Sequence, residues 1–359
     1  MTTHELRLLL RGGTPGSCGR APAMLLLCAV IATASSAQTV NRVGTTAAPF
    51  LKIGVGARPV GMGEASTTTA TDASALYWNP AGTAPLQRLQ AIFSYDDYIA
   101  DVRYSFGAVA VPVADVGTFG AFFGILGMDD IERTTVQYPN GTGERVSASS
   151  YVVGISYARA LTDRFSIGFN GKYVRESIWH SSADGFAGDV GVVYTTFFKN
   201  LKIGMSISNF GTTMQMSGRD MLVQHDIAEN FAGNNQNINA DLETDRFPLP
   251  VLFRFGLSAN VLRDILGSEQ HDWIVAVDAI HPNDNPEYVN LGTELSLYNR
   301  IVSLRAGYRQ LFLDDREGGL TLGVGIGAEV VGGRMEFDYA YVDLGRLENA
   351  NKFTLLLTF

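Results

Sequence analysis

Arg58 stands in a run of glycines, Leu51-Lys-Ile-Gly-Val-Gly-Ala-Arg58-Pro59-Val-Gly61-Met-Gly63-Glu. A guanidinium carries five donors in a rigid fork that matches a carboxylate. The carboxylates it is placed to meet lie far along the chain, at Glu294, Glu329 or Asp338; the alternative is an arginine facing solvent. Asp72 follows in a stretch of small residues, and then Trp78-Asn79-Pro80-Ala81-Gly82. The residue before a proline is pushed out of the helical region, so Asn79-Pro80 marks a turn or a helix stop. The Asn79 amide either caps backbone groups where this segment meets a wall or serves as a plain turn residue.

Gly323-Val-Gly-Ile-Gly-Ala has the look of a dinucleotide loop, but it sits inside an alternating strand with no helix after it. Gly54-Val-Gly56 fails the same fingerprint at Pro59. His180, His225, His271 and His281 are scattered without metal-ligand spacing. His281-Pro-Asn-Asp284-Asn-Pro-Glu287 offers hard oxygens that suit Ca²⁺, and equally a polar turn. No nucleophile elbow is present. The expectation is a non-enzymatic chain without cofactor.

The elements that must position these residues begin with a leader. Arg7, Arg11 and Arg20 precede the apolar run Ala23 to Ala34, and Ser35-Ser36-Ala37 supplies small residues for cleavage before Gln38. Residues 1–37 therefore read as a signal peptide. Both cysteines, Cys18 and Cys28, fall inside it, which excludes disulfides and cysteine metal sites from the mature chain. The full chain holds 27 Lys+Arg and 36 Asp+Glu; losing three Arg and one Glu leaves 24 against 35. Such an acidic balance argues against a nucleic-acid partner. Charged residues make up only 18% of the chain and 39 residues are glycine, a composition that suits a β-rich chain with few charges.

Residues 38–89 form an N-terminal segment with a compact core at 51–86, and residues 90–359 a series of strands. About fourteen candidates lie near 90–95, 101–112, 116–128, 146–160, 163–175, 185–198, 200–210, 248–260, 271–280, 287–297, 300–310, 318–330, 333–343 and 351–359. Period-two alternation is clear in several. Phe253, Phe255 and Leu257 oppose Arg254 and Gly256; Leu320, Leu322, Val324 and Ile326 oppose Thr321, Gly323, Gly325 and Gly327. In hydrocarbon a midplane Lys or Arg costs roughly 2–4 kcal/mol. Arg254, Asp278, Glu294, Arg305, Arg309, Glu329 and Asp338 therefore belong on the enclosed, wetted side. A soluble sandwich would invert the faces.

Three features favour the membrane reading. Connections alternate, with tight ones at 114–115, 161–162, 199, 299 and 332 and longer ones at 128–145, 176–184, 211–247, 281–286 and 311–317. Short periplasmic turns and longer outer loops are the barrel habit. An even strand count returns the C-terminus to the periplasmic side, where the chain enters. The last strand, with Phe353, Leu355, Leu357 and Phe359 on one face, ends in an aromatic residue, the usual signal for the bacterial barrel-assembly machinery. Tyr95, Tyr98, Tyr104, Tyr157, Tyr173, Trp179, Tyr194, Trp273, Tyr288, Tyr298 and Tyr308 fall near strand ends, as interfacial girdles do. The stretch 211–247 is the longest without strand character and reads as an outer loop over the mouth. The predicted fold is all-β: a transmembrane antiparallel β-barrel of about fourteen strands in the outer-membrane lipid, with an N-terminal hatch inside it.

Arg58-Pro-Val-Gly-Met-Gly-Glu-Ala followed by Asp72-Ala-Ser-Ala-Leu-Tyr-Trp78-Asn79-Pro80-Ala81-Gly82 resembles the start of the PorV/PorQ family, outer-membrane barrels related to the FadL fatty-acid transporters. The resemblance implies a hatch that includes Arg58, Pro59, Gly61, Gly63, Asp72, Trp78, Asn79 and Pro80. It also implies a part in type IX secretion, with secretion components and cargo bearing a C-terminal sorting domain as partners. FadL-like uptake of a hydrophobic small molecule is the alternative; it requires an apolar pocket above the hatch and a kinked strand, for which 185–198 is glycine-rich enough.

Overall fold

The computed structural model describes residues 43–227, 230, 237–313 and 316–359; the leader reading falls outside them. Fourteen strands make one closed antiparallel ring. They are β1 Gln90–Asp97, β2 Arg103–Val113, β3 Gly117–Gly127, β4 Ala148–Thr162, β5 Phe165–Ile178, β6 Ser181–Thr195 and β7 Lys202–Gly211. Then follow β8 Leu252–Asn260, β9 Asp272–Pro282, β10 Tyr288–Leu297, β11 Val302–Leu311, β12 Leu320–Val330, β13 Gly333–Asp343 and β14 Asn349–Thr358. Each strand pairs with its chain neighbours, and β1 closes on β14 from Gln90 opposite Thr358 to Asp97 opposite Asn351. Closure leaves no sheet edge, so every strand can pair its backbone groups where no water is available to do so.

Alternation decides which face each strand shows. Phe253, Leu304, Leu322, Ile326 and Phe337 are exposed on the outer wall, whereas Arg254, Ser303, Thr321 and Asp338 on the same strands are buried inside. The apolar belt faces outward and the polar face lines the interior, the inverse of a soluble sandwich. Among the described residues no helix is long and apolar enough to cross a membrane.

Connections at one end are mostly short; the longest of them, after β8, contains a π-helical turn, Val261–Ile265. The other end carries the long loops and is the outer one. Two loops differ from expectation. The gap at 176–184 closes to Trp179-His180, because β5 and β6 continue as a paired ribbon to Ile178 opposite Ser181. The 211–247 stretch is not strandless: Thr213–Gln215 pairs with Arg246–Pro248, Leu222–His225 with Ile238–Asp241, and Ser217–Gly218 with Ser181–Ser182 of β6. These loop strands are only two to four residues long, too short for a period of two to show, which is why the ribbons are hard to read from sequence.

Residues 48–83 lie against the inward faces of the strands and are almost wholly buried. They hold only short turns of helix: a 3₁₀ turn Pro49–Lys52, α1 Ala57–Gly61, α2 Ala75–Trp78 and a 3₁₀ turn Pro80–Thr83. α1 packs on β11–β14 and the Pro80–Thr83 turn on β4–β6, so the segment touches opposite walls. Glycine makes the approach possible. Gly63 has φ +65°, and a Cβ added at Gly307 would come within 2.1 Å of its backbone nitrogen. The small residues of the segment and of the wall are therefore two halves of one contact.

The segment enters from the outer end, not from the periplasmic end as expected. Ala47 N donates to Pro248 O (2.9 Å), Ala48 N to Glu176 Oε2 (3.0 Å), and Thr46 Oγ1 to Asp284 Oδ2 (3.0 Å), all at the outer ends of strands. The chain then descends through the ring and leaves below, where β1 starts.

The interior is two-sided rather than uniformly wetted. Phe50, Leu51, Tyr104, Phe106, Phe122, Val152, Val174, Met214 and Leu249 form a buried apolar cluster in its outer half, against β2–β5. Tyr104, expected in an interfacial girdle, belongs to this core. Strands β2–β4 carry apolar residues on both faces, which conceals the alternation. The belt yields a direct prediction. Val324→Arg, on the lipid face of β12, lowers the unfolding free energy in phospholipid vesicles by roughly 2–4 kcal/mol, as read from denaturant midpoints.

Candidate functional site

Arg58 sits in α1 and is 5% exposed. Its Nε and Nη2 donate to both carboxylate oxygens of Glu294 on β10, at 2.8 and 3.1 Å. Its Nη1 reaches Asp72 Oδ2 and the Thr69 carbonyl, each at 3.1 Å. Of the three distant acids weighed from sequence, Glu294 is the one the fork grips. Glu294 also accepts from Arg305 Nε at 2.6 Å, and Arg305 Nη1 donates to Asp338 Oδ1 at 2.6 Å. Asp72, Arg58, Glu294, Arg305 and Asp338 make one alternating chain of charge through the interior, with Arg300 at 3.6 Å from Glu294 on its edge. Burial penalises the Arg58 charge, and Glu294 and Asp72 on either side of the guanidinium compensate it.

Further bonds tie the inner segment to the ring. Thr67 donates through its backbone N and its Oγ1 to Asp278 Oδ2 on β9, at 2.8 and 2.7 Å. Arg309 Nη1 donates to Glu64 Oε1 at 2.7 Å. Gly63 N donates to Thr321 Oγ1 (3.0 Å), which in turn donates to Gly61 O (3.2 Å). Asn79 Nδ2 donates to Thr67 O (2.8 Å) and, across to β6, to Val192 O (3.2 Å). Its Oδ1 accepts from Ala81 N, capping the turn that Pro80 starts. The Trp78 indole donates to Val55 O at 2.9 Å, and the Arg254 guanidinium lies 5.5 Å from the Trp78 ring centre. Arg254 Nη1 also donates to Ser208 Oγ at 3.1 Å. Pro59 contributes its carbonyl, which accepts from Met62 N and Glu64 N.

Glu329 is the exception. It has the inward parity of β12 but lies at the periplasmic end, its side chain 71% exposed and paired with Arg334. The strand has left the belt by then, so parity no longer implies enclosure. Phe353 is exposed on the outer wall, and Phe359 follows β14, its backbone N bonded to Leu89 O. Asp284, weighed as a Ca²⁺ ligand, accepts instead from the Lys52 ammonium and Thr46. His281 pairs with Glu287, and among the described residues no three ligating side chains converge on a metal position.

Two clusters escaped the sequence reading. Lys352 on β14 pairs with Asp96 on β1 and donates to Gly54 O at 3.1 Å. Lys172 on β5 meets Asp189 Oδ1 at 2.7 Å, while Asn209 N and Asn170 Nδ2 donate to the two oxygens of the same carboxylate. The parity count that singles out Glu294 reaches all four charged residues when extended to β1, β5, β6 and β14. Asp189 also marks an irregularity, since the β6–β7 register shifts between Gly188 and Val190. The apolar face beside it, with Leu51, Leu76, Tyr104, Phe106 and Phe122, encloses a cavity of about 10 Å³, room for a single water.

The profile of the type IX secretion system protein PorV matches residues 36–218, more than half of the chain. The chain belongs to the PorV family. Among solved structures it is similar to a Pseudomonas aeruginosa FadL homologue (TM-score 0.52, 12% identity, covering 85% of this chain and 98% of that one). It is likewise similar to the Pseudomonas putida toluene transporter TodX (TM-score 0.53, 14% identity, 85% and 96% covered). At these identities the likeness is one of fold: this PorV-family chain shares the architecture of FadL-type outer-membrane barrels. No curated protein matches its sequence.

The charge chain generates a prediction. Glu294→Ala leaves Arg58 and Arg305 buried with too little compensation, and about 3–5 kcal/mol of stability is lost. Loosening of the inner segment is read by limited trypsin digestion. Pro59 blocks cleavage after Arg58, so the reporter is the bond after Lys52. It is cut slowly in the parent protein and several-fold faster in the variant, as mass spectrometry of the fragments shows.

Proposed function

We propose that this chain is a non-enzymatic outer-membrane component of a type IX secretion route that holds exported protein at its outer mouth. The family membership carries the reading. In this reading the hold is non-covalent, made by the mouth and by the 211–247 loop, whose ribbon is bonded to β6 at Ser182. Residues 51–86 act as the hatch that prevents leakage, with Arg58 to Glu294 as its principal tie. The partners are secretion components and cargo with a C-terminal sorting domain. The leader is cleaved after Ala37, and Phe353 with Phe359 presents the last strand to the barrel-assembly machinery before it settles in outer-membrane lipid.

One observation favours a second reading, FadL-like uptake of a hydrophobic small molecule. The apolar cluster lies beside the buried cations Lys172 and Arg254, next to the register shift at Asp189. Its cavity of about 10 Å³ is far smaller than ligand pockets of roughly 300–1,000 Å³, so uptake would require it to open.

Affinity capture from outer membranes with a tagged full chain separates the two. Secretion components and sorting-domain proteins are expected in the eluate, and their yield falls when 219–245 is replaced by a short linker. Recovery of none of them, together with saturable fatty-acid binding by the purified protein, would transfer the assignment to uptake.

A further inference from the structure

At the periplasmic end, between the inner segment and the ends of β7–β11, lies an open cavity of about 550 Å³. This is within the range of small-ligand sites. Thr68, Thr69, Thr71 and Arg58 of the inner segment line it, and the ring adds Lys202, Arg263 and Arg300. Four cations thus border one space, with Asp264 and Asp272 as the carboxylates in its lining.

The pairing of these charges is uneven. Asp272 is taken by Arg263, at 2.8 Å, and by Asn260. Arg58 is held by Glu294 and Asp72. Arg300 has Glu294 at 3.6 Å, but that carboxylate is already engaged at shorter range by Arg58 and Arg305. Asp264 accepts from Asn200. Among the described residues no carboxylate comes within 4 Å of the Lys202 ammonium, which shares the cavity lining with Arg58, Arg300 and Asp264. Two cations with incomplete partners, Lys202 and Arg300, therefore share a concave space with low-dielectric walls. Such walls focus the field and concentrate counter-ions.

We propose that this periplasmic vestibule is a binding site for an anionic group, a carboxylate or a phosphate, held by Lys202 and Arg300. The arrangement suits a ligand arriving from the periplasm, because the charge chain from Asp72 to Asp338 and the packed segment above close the route from outside. A carboxylate would come from an acidic side chain of a periplasmic protein segment, a phosphate from a free small molecule; the cavity is large enough for either. Such a site serves the barrel equally under the secretion reading and the uptake reading.

The test is calorimetric titration of the mature chain in detergent, at low salt, with inorganic phosphate in one arm and an acetylated tetraglutamate amide in the other. Saturable binding of at least one probe is expected, and the arm that binds identifies the source. Lys202→Met with Arg300→Met weakens it by about tenfold or more. Arg346→Met, an exposed change at the outer end, leaves it unaltered. A second readout needs no variant: in the parent protein the bound probe slows acetylation of Lys202 by acetic anhydride, followed by mass spectrometry. Absence of saturable binding in both arms, unchanged binding in a folded double variant, or no protection of Lys202 would overturn the proposal.

Discussion

The contact between Arg58 and Glu294 joins residues 236 positions apart and sets what the rest of the interior must do. A glutamate with no exposed surface is tolerable only if its charge is met on more than one side. Arg58 and Arg305 meet it, and each is then obliged to a further carboxylate, Asp72 and Asp338. The sequence of obligations runs from the inner segment to β13. Desolvation offsets much of the attraction within such a chain. Its clearer effect is on geometry: bidentate pairing fixes the distance and direction at which α1 sits on the wall.

That fixed position explains the glycine distribution. Where α1 and the turn after it meet β10 and β11, backbone lies against backbone, and Gly63 and Gly307 have no room for side chains. Elsewhere the wall carries hydroxyls, at Thr321, Thr354 and Ser258, that satisfy the segment's amides, carbonyls and hydroxyls. A segment with little regular structure needs this, because its backbone groups have few internal partners. The wall takes the place of the missing secondary structure.

Much of this is legible in the chain itself. Fourteen strands, the closed ring and the inward direction of Arg254, Asp278, Glu294, Arg305 and Asp338 follow from a period of two and the cost of charge in hydrocarbon. The parts that are not legible have physical causes. Strands β2–β4 place Phe106, Phe122 and Val152 inward as well as apolar residues outward, so a two-sided apolar strand hides which side is the core. The partner of Arg58 can be narrowed to a few acids but not chosen, since parity gives the face and not the height along the barrel. Glu329 shows the same gap from the other direction: right face, wrong height.

The outer-end entry of the inner segment has a consequence for assembly. Thr46 to Ala48 are bonded near the loops, residues 48–83 fill the bore, and β1 leaves at the opposite end to seal against β14. Because the segment runs straight into β1, its seating in the bore and the closing of β1 on β14 constrain one another, and the strand that shuts the ring is tethered to what the ring contains.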